Sequence, residues 1–282
     1  MKPQPSSLYL AGNKLKIVED IVPHLVEEGR NILVEPFVGT GVMSLHCLEK
    51  GLFEKSYCND LADWLVGLHN SLRDPKFILD VSKINGMYKD TEEDFLKLRE
   101  NYNSGGCKND AELFVLMLRG NSNRVRFSGR GKSLKHNIPY GKRNPFNMER
   151  MLRHHTLCQD MEVSQGNYVM FLNKLSKELD WSKVVIYADP PYFGTMATYN
   201  TGWTSSDDAI FRETMLKYKQ LGAKVVFSNI FSNKKFVATE LIDWCKANED
   251  HFEVHHLDMD YSNTDAHKWL GDKTDEVLVV SK

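Results

Sequence analysis

The segment of residues 31–60 constrains the fold of this chain more than any other stretch. It reads NILVEPFVGTGVMSLHCLEKGLFEKSYCND. An apolar strand at 31–35 enters a turn with two glycines, a helix follows at about 42–50, and a second strand ends at Asp60. This succession is the repeating unit of a doubly wound parallel sheet. The sequence therefore predicts an α/β fold with a Rossmann-like sheet.

Further strands and helices extend this pattern. Later strands, the last two of them an antiparallel pair, are predicted at 184–188, 223–229, 252–259 and 275–282. Helices are predicted at 14–28, with a bend at Pro23, at 205–221, capped by Ser205 or Ser206, and at 233–247.

Residues 62–158 have a different character. Most of this region has helical periodicity, but 119–147 is rich in Gly, Ser, Asn, Arg and Lys and has none. We therefore predict a sheet domain formed by 1–61 and 159–282. Residues 62–158 form an inserted, mainly helical domain that carries a basic hairpin at 119–147.

The overall composition is that of a soluble protein, with 41% hydrophobic and 26% charged residues among 282. No apolar run approaches the ~18 residues of a membrane span, and the first residues lack a secretory apolar core. Five scattered cysteines without a CxxC pair predict free, mostly buried thiols in a reducing cytoplasm. The His-His pairs at 154–155 and 255–256 are predicted to lie on the surface or in loops, and no metal is expected.

Positive charge is concentrated in one part of the chain. The net charge is −2, yet residues 119–153 contain ten Lys or Arg and one acid. Such a local field is the footprint of a polyanion, and the alternative is a solvated basic loop. Polar and aromatic side chains that can contact bases are interleaved with these charges, which favours a nucleic acid.

A first candidate site surrounds the glycine turn. Gly39 and Gly41 let the backbone approach a ligand closely, and Asp60 stands where a carboxylate usually binds ribose hydroxyls. Ser44 occupies the place of a third glycine, so a dinucleotide fits less well. Glu35 suits the amino group of a cation. S-adenosylmethionine matches this set, and Lys14 is a candidate partner for its carboxylate.

A second candidate site follows the strand VVIYA in the sequence DPPY, residues 189–192. Two prolines fix the backbone and remove two donors, so Asp189 and the Pro190 carbonyl form a rigid acceptor corner. Two acceptors on the N–H groups of an aromatic amine localise its lone pair and allow attack on a sulfonium methyl. Within a duplex the base has to be flipped out, and Tyr192 offers an aromatic face for it.

These motifs together resemble the Dam-type adenine-specific DNA methyltransferases of the D12 class, α-group. The resemblance rests on AGNK at 11–14, EPFVGTG at 35–41 and DPPY, and extends to RGNSNRVRF at 119–127, PYGKRNP at 139–145 and DEVLVV at 275–280. It implies S-adenosylmethionine as cofactor, double-stranded DNA as partner, and no membrane, metal or obligate protein partner. The insertion then becomes the target-recognition domain.

The resemblance also implies roles for individual residues. The cofactor-contacting set comprises Leu10, Lys14, Glu35, Pro36, Phe37, Gly39, Gly41, Asp60, Tyr168 and Asp189. The catalytic set comprises Asp189, Pro190, Pro191 and Tyr192. The DNA-contacting set on the hairpin comprises Arg119, Asn121, Ser122, Asn123, Arg124, Arg126, Pro139, Tyr140, Lys142 and Arg143.

The recognised DNA site is expected to be GATC or a related short sequence. Arg124 departs from the apolar residue that is typical of GATC-specific members, and the hairpin is longer than usual. Two alternatives remain open: methylation of another planar amine, such as cytosine N4 or an RNA base, and a catalytically inactive DNA-binding protein.

Overall fold

The computed structural model describes residues 2–10, 12–105, 109–123, 125–129, 134–193, 202–257 and 274–282. Its helices are α1 (Val18–Leu25), α2 (Val42–Glu49), α3 (Asp63–Ser71), α4 (Pro75–Met87), α5 (Glu92–Ser104), α6 (Asp110–Arg119), α7 (Met148–Leu157), α8 (Tyr168–Leu175), α9 (Ser205–Gln220) and α10 (Thr239–Ala247). Its strands are β1 (Ile32–Glu35), β2 (Lys55–Asp60), β3 (Phe127–Ser128), β4 (Lys135–His136), β5 (Met161–Gln165), β6 (Val184–Ala188), β7 (Lys224–Asn233), β8 (Phe236–Val237), β9 (Phe252–Leu257) and β10 (Asp275–Ser281).

The central sheet has the strand order β5-β2-β1-β6-β7-β10-β9, and β8 pairs with β7. The pairs from β5 to β7 are parallel, whereas β10 runs antiparallel to both β7 and β9. The predicted α/β class and the antiparallel final pair are thus confirmed. The chain winds outward in opposite directions from β1 and β6, so a cleft opens at their carboxyl ends.

Apolar side chains cover both faces of this sheet. One face packs against α1 and α2, and the other against α8, α9 and α10. The core of the helical region is continuous with side chains of α2, β2 and β5, including Leu45, Cys58 and Met161. The helical region is therefore anchored on the β2–β5 side of the sheet, next to the cleft.

Three predicted helix starts were wrong. The helix expected at 14–28 spans only Val18–Leu25. Helix α9 is capped by Thr204, whose hydroxyl accepts from the Asp207 N–H while the Asp207 carboxylate accepts from the Thr204 N–H. Ser205 is instead the first helical residue, and its hydroxyl donates to the Glu240 carboxylate. The helix expected from residue 233 begins at Thr239, since β7 continues to Asn233 and turns back as β8.

Among the described residues, no helix is both long and apolar enough to cross a membrane. Four cysteines (47, 58, 158 and 245) are free and buried, as predicted, and Cys107 lies outside the described residues.

Candidate active site

The glycine turn joins β1 to α2 in a left-handed conformation. Gly39 and Gly41 have φ angles of +50° and +71°. A Cβ on Gly41 would lie 2.9 Å from Cε1 of His69, on α3. His69 in turn binds the Gly39 carbonyl oxygen through Nε2 at 2.9 Å. Because that carbonyl only accepts, Nε2 carries the proton, and burial lowers the pKa of His69 and keeps the ring neutral.

Asp60 lies at the end of β2 beside this turn, as predicted. Its Oδ2 accepts from the Gly39 N–H at 3.1 Å, and its Oδ1 accepts from the Ala62 N–H at 3.0 Å. Leu10 is also close, because a Cβ on Gly39 would lie 3.7 Å from its Cδ2. The structure therefore brings Leu10, the glycine turn and Asp60 together at the carboxyl edge of the sheet.

Glu35 does not face this cleft as an open acceptor. Its carboxylate is 2% exposed and accepts from both the N–H and the hydroxyl of Ser44 at the start of α2. Burial raises the pKa of Glu35 to about 8, although the Ser44 hydrogen bonds lower it. The predicted contact with a cofactor amino group does not fit this arrangement. Glu35 instead joins the end of β1 to the first turn of α2.

Phe37 and Tyr168 belong to one aromatic cluster at this edge. Their ring centroids are 5.0 Å apart, and both rings also contact Trp203 and Phe211. Phe37 is half-buried, but Tyr168 is only 7% exposed. The predicted contact between Tyr168 and the cofactor adenine does not fit a ring that is already covered by aromatic neighbours. Pro36 is buried beneath the turn.

The DPPY corner contains a buried network of charges. Lys14 Nζ lies 3.1 Å from Asp189 Oδ1 and 3.1 Å from Glu276 Oε1. The hydroxyl of Tyr192 lies 2.8 Å from the same oxygen of Asp189 and 3.1 Å from Glu276 Oε1. Lys14 Nζ is also 5.0 Å from the centre of the Tyr192 ring. Lys14 thus contacts protein carboxylates in this structure, rather than being open to a cofactor carboxylate.

The network changes the proton affinity of its members. Burial lowers the pKa of Lys14, but the carboxylates of Asp189 and Glu276 outweigh burial and raise it overall. The pKa of Asp189 is also raised, because burial and the Glu276 carboxylate outweigh the Lys14 ammonium. A charged Lys14 held between two acids is consistent with the need to pair buried charges.

One oxygen of Asp189 remains an open acceptor. Among the described residues, every hydrogen bond and ion pair of this carboxylate involves Oδ1, and none involves Oδ2. A cavity of about 170 Å³ lies at the same edge of the sheet, and Phe193, Asp208 and Asn229 contribute to its wall. The corner can therefore accept a hydrogen bond from a planar amine brought to this edge.

The basic hairpin is present and has a tightly paired base. Asn121 N–H donates to the Pro139 carbonyl at 2.9 Å, and Gly141 N–H donates to the Arg119 carbonyl at 2.8 Å. Strands β3 and β4 continue the pairing outward, while Arg124 and residues 130–133 lie outside the described residues. The predicted DNA contacts that are exposed are Asn121, Ser122, Arg126, Pro139, Lys142 and Arg143.

Three other predicted DNA contacts are engaged within the protein. Arg119 is fully buried, and its guanidinium donates to the carbonyl oxygens of Asn85, Tyr88 and Lys89. Its predicted DNA contact is therefore wrong. Asn123 donates to the Leu118 carbonyl at 2.6 Å at the end of α6. The Tyr140 hydroxyl donates to the backbone or side-chain oxygen of Asp90 at 2.8 and 2.9 Å. The DNA contacts of Asn123 and Tyr140 stay predictions.

Sequence reasoning missed Glu276, Ser44 and His69 as parts of the site. Glu276 directly precedes the apolar run of the final strand and has no exposed surface, and a buried acid is usually paired. In the sequence, Ser44 stands out only as the residue in place of a third glycine. His69 offers no signal in the sequence, because its partner lies 30 residues away.

The histidine pairs also differ from expectation. His154 is buried on α7, with Nδ1 2.7 Å from the Ser7 hydroxyl, and is not a surface residue. His24, Glu253 and His255 form a group near β9. Each offers one atom that could bind a metal ion, and the three atoms lie within 4.8 Å of one another. His255 Nε2 and Glu253 Oε1 are 2.8 Å apart and form a direct hydrogen bond. His24 lies far from the other two residues in the sequence, so this cluster of two histidines and an acid has no local sequence signal.

Comparison with known proteins assigns this architecture to a family. Residues 10–258 match the family described as D12 class N6 adenine-specific DNA methyltransferases. Modification methylase StsI of Streptococcus sanguinis is 25% identical over 292 residues, covering 98% of this chain and 42% of that protein. A DNA adenine methylase of Vibrio cholerae is 28% identical over 242 residues, covering 81% of this chain and 82% of that protein.

Type II methyltransferase M.FokI of Planomicrobium okeanokoites is another relative, and this chain covers 42% of that protein. The chain therefore spans less than half of the length of both StsI and M.FokI. Among solved structures, the rRNA methyltransferase aviRa of Streptomyces viridochromogenes has a TM-score of 0.43 at 12% identity, covering 96% of this chain and 85% of that chain. With the family match extending over most of its length, this chain belongs to the D12 class N6 adenine-specific DNA methyltransferases.

Proposed function

We propose that this chain transfers a methyl group from S-adenosylmethionine to the N6 amine of a specific adenine in double-stranded DNA. The observation that carries the proposal is the Asp189 carboxylate, which is held through Oδ1 and, within the part of the chain that the structure describes, has no partner at Oδ2. It stands at the end of β6, beside the strand that leads into the left-handed glycine turn.

The residues around the turn fit the proposed cofactor. Gly39 and Gly41 present backbone without side chains, and Asp60 supplies carboxylate oxygens whose remaining lone pairs suit ribose hydroxyls. Leu10 and the half-buried Phe37 provide apolar contact for the rest of the molecule. S-adenosylmethionine supplies an electrophilic methyl group on a positively charged sulfur.

Asp189 and the Pro190 carbonyl act on the target amine in this proposal. Each accepts one N–H of the adenine, which localises the nitrogen lone pair and aims it at the methyl group. Asp189 Oδ2 takes the proton that the amine loses on methylation. The base has to leave the duplex to reach this corner. The flipped base is proposed to occupy the cavity on the β7 side of this corner. Phe193, Asp208 and Asn229 contribute to its wall.

The exposed hairpin residues are the proposed DNA contacts. Arg126, Lys142 and Arg143 supply positive charge, and Asn121 and Ser122 supply side chains that read base edges. We retain GATC or a related short site as the proposed target, with Arg124 as the residue that would change it.

The test is transfer of label from S-adenosylmethionine to unmethylated plasmid DNA, followed by digestion to nucleosides. Label in N6-methyladenine is expected, and Asp189→Ala should abolish turnover while DNA binding stays measurable. Asp243→Ala, at an exposed position on α10, is the matched control and should remain active. Label in methylcytosine or RNA would support the second function, and no label in any substrate would support a DNA-binding protein without activity.

A further inference from the structure

We propose that Glu276 is a positioning residue that shares Lys14 and Tyr192 with Asp189 and keeps the catalytic carboxylate open on one side. This inference rests on the proposed function, because it concerns the same carboxylate. Glu276 lies on β10, opposite Ile230 of β7, and has no exposed surface.

The first argument is geometric. The Lys14 ammonium lies 3.1 Å from one oxygen of each acid. The Tyr192 hydroxyl has a single proton and lies within hydrogen-bond distance of the same two oxygens, Asp189 Oδ1 and Glu276 Oε1. The Lys14 ammonium therefore bridges the two carboxylates, and the Tyr192 hydroxyl can give its proton to either of them. The position of Asp189 is thus fixed through groups that Glu276 also contacts.

The second argument is electrostatic. A lone Lys14–Asp189 pair would be neutral, and the ammonium would satisfy the aspartate alone and compete with an incoming amine. Glu276 divides the attraction of Lys14 between two acids. It also provides the countercharge that lets an almost fully buried ammonium remain charged. Asp189 is thereby anchored through one oxygen, and the attraction of Lys14 is not directed at Asp189 alone.

Several other groups face Asp189 from neighbouring elements and belong to the same charge balance. Tyr187 on β6 and Glu35 on β1 interact with it electrostatically, in addition to Lys14, Tyr192 and Glu276. Of these, Glu276 contributes a carboxylate within 3.1 Å of both bridging donors. Burial has the largest effect on the pKa of Asp189 and raises it, and Glu276 adds to that rise against the Lys14 ammonium. Removal of the Glu276 charge should therefore lower the pKa of Asp189.

The test is Glu276→Gln, which keeps the size and an acceptor oxygen but removes the charge. We expect kcat to fall about ten- to a hundred-fold, with KM for S-adenosylmethionine little changed. The acidic limb of the kcat–pH profile should move to lower pH, because Asp189 loses its proton more readily. Asp275→Asn is the control, since this neighbouring acid is partly exposed and pairs with His256 on β9. This substitution should change neither kcat nor the position of the acidic limb.

Two further measurements complete the test. A titration of the Asp189 carboxyl by NMR of ¹³C-aspartate-labelled protein should show a lower pKa in Glu276→Gln than in wild type. This result does not depend on turnover, so it separates a failure of this inference from a failure of the proposed function. If Glu276→Gln does not fold, Glu276→Asp is the second variant, because it keeps the charge on a side chain that is shorter by one carbon. It should fold and have a lower kcat than wild type. An unmoved Asp189 titration, or wild-type kcat in a folded Glu276→Asp protein, would overturn the proposal.

Discussion

Glu35 is a residue whose role follows from burial rather than from contact with a ligand. Its carboxylate is enclosed at the end of β1 and is bound by Ser44 at the start of α2. Burial raises its pKa to about 8, so the folded protein holds the neutral form near pH 7. The cost of ionising this group falls on the folded state alone.

We expect this cost to appear as a pH-dependent loss of stability. The pKa of Glu35 is higher in the folded state, so its contribution is complete below about pH 4.5 and is lost as pH rises toward 8. The free energy of unfolding, measured with urea from pH 5 to 9, should fall by several kcal/mol more in wild type than in Glu35→Gln, since each pKa unit corresponds to about 1.4 kcal/mol. Parallel curves for the two proteins would contradict this account.

The burial of Arg119 leads to a second prediction. It is buried and satisfies three carbonyl oxygens near the end of α4, so Arg119→Met should destabilise the protein by about 2–4 kcal/mol. Arg143→Met, at an exposed position, is the control and should change stability by less than about 0.5 kcal/mol. Urea unfolding distinguishes the two. A stable Arg119→Met protein with weakened DNA binding would restore the original assignment of Arg119 to the DNA surface.

At the level of elements, the base of the hairpin depends on one close approach of two backbones. A Cβ on Gly141 would lie 2.6 Å from the Gly120 carbonyl oxygen and 2.8 Å from the backbone nitrogen of Asn121. No side chain can be accommodated there unless the two arms separate. The direction of the whole hairpin is therefore set at its base.

Gly141→Ala should shift the hairpin and weaken DNA binding, while leaving S-adenosylmethionine binding unchanged. Gly86→Ala is the matched control, because a Cβ at that position in α4 meets no atom within 4 Å. It should stabilise the helix by about 0.5–1 kcal/mol and leave both affinities unchanged. Fluorescence anisotropy with a labelled duplex and calorimetry with the cofactor are the measurements. Equal DNA affinity of Gly141→Ala and wild type would show that the base of the hairpin does not direct it.

The sequence was sufficient for elements with strong local signals. The unit from β1 to β2, the strand before DPPY and the final antiparallel pair all have local patterns of apolar residues and turns, and the structure contains each of them. Side-chain partners were harder to predict. The inward direction of Glu35, the burial of Arg119 and the approach of Glu276 to Lys14 each depend on a neighbour in another element. Periodicity within one segment does not identify such neighbours.

Across the whole molecule, charge is distributed unevenly in a way that suits one acidic partner. Affinity for DNA should fall linearly with the logarithm of salt concentration, since bound counterions are released from phosphates. The double substitution Lys142→Ala and Arg143→Ala should reduce this slope by about two. Lys246→Ala, which removes an exposed charge from α10, should leave it unchanged. The same slope in all three proteins would place the phosphate contacts away from the base of the hairpin.

The network around Asp189 connects distant parts of the polypeptide. Lys14 precedes α1, whereas Glu276 arrives on β10, which is inserted between β7 and β9. The ribosome therefore synthesises Lys14 more than two hundred residues before Glu276, the second acid that contacts it. A nascent polypeptide cannot complete the network of Lys14, Asp189 and Glu276 until translation has passed that strand.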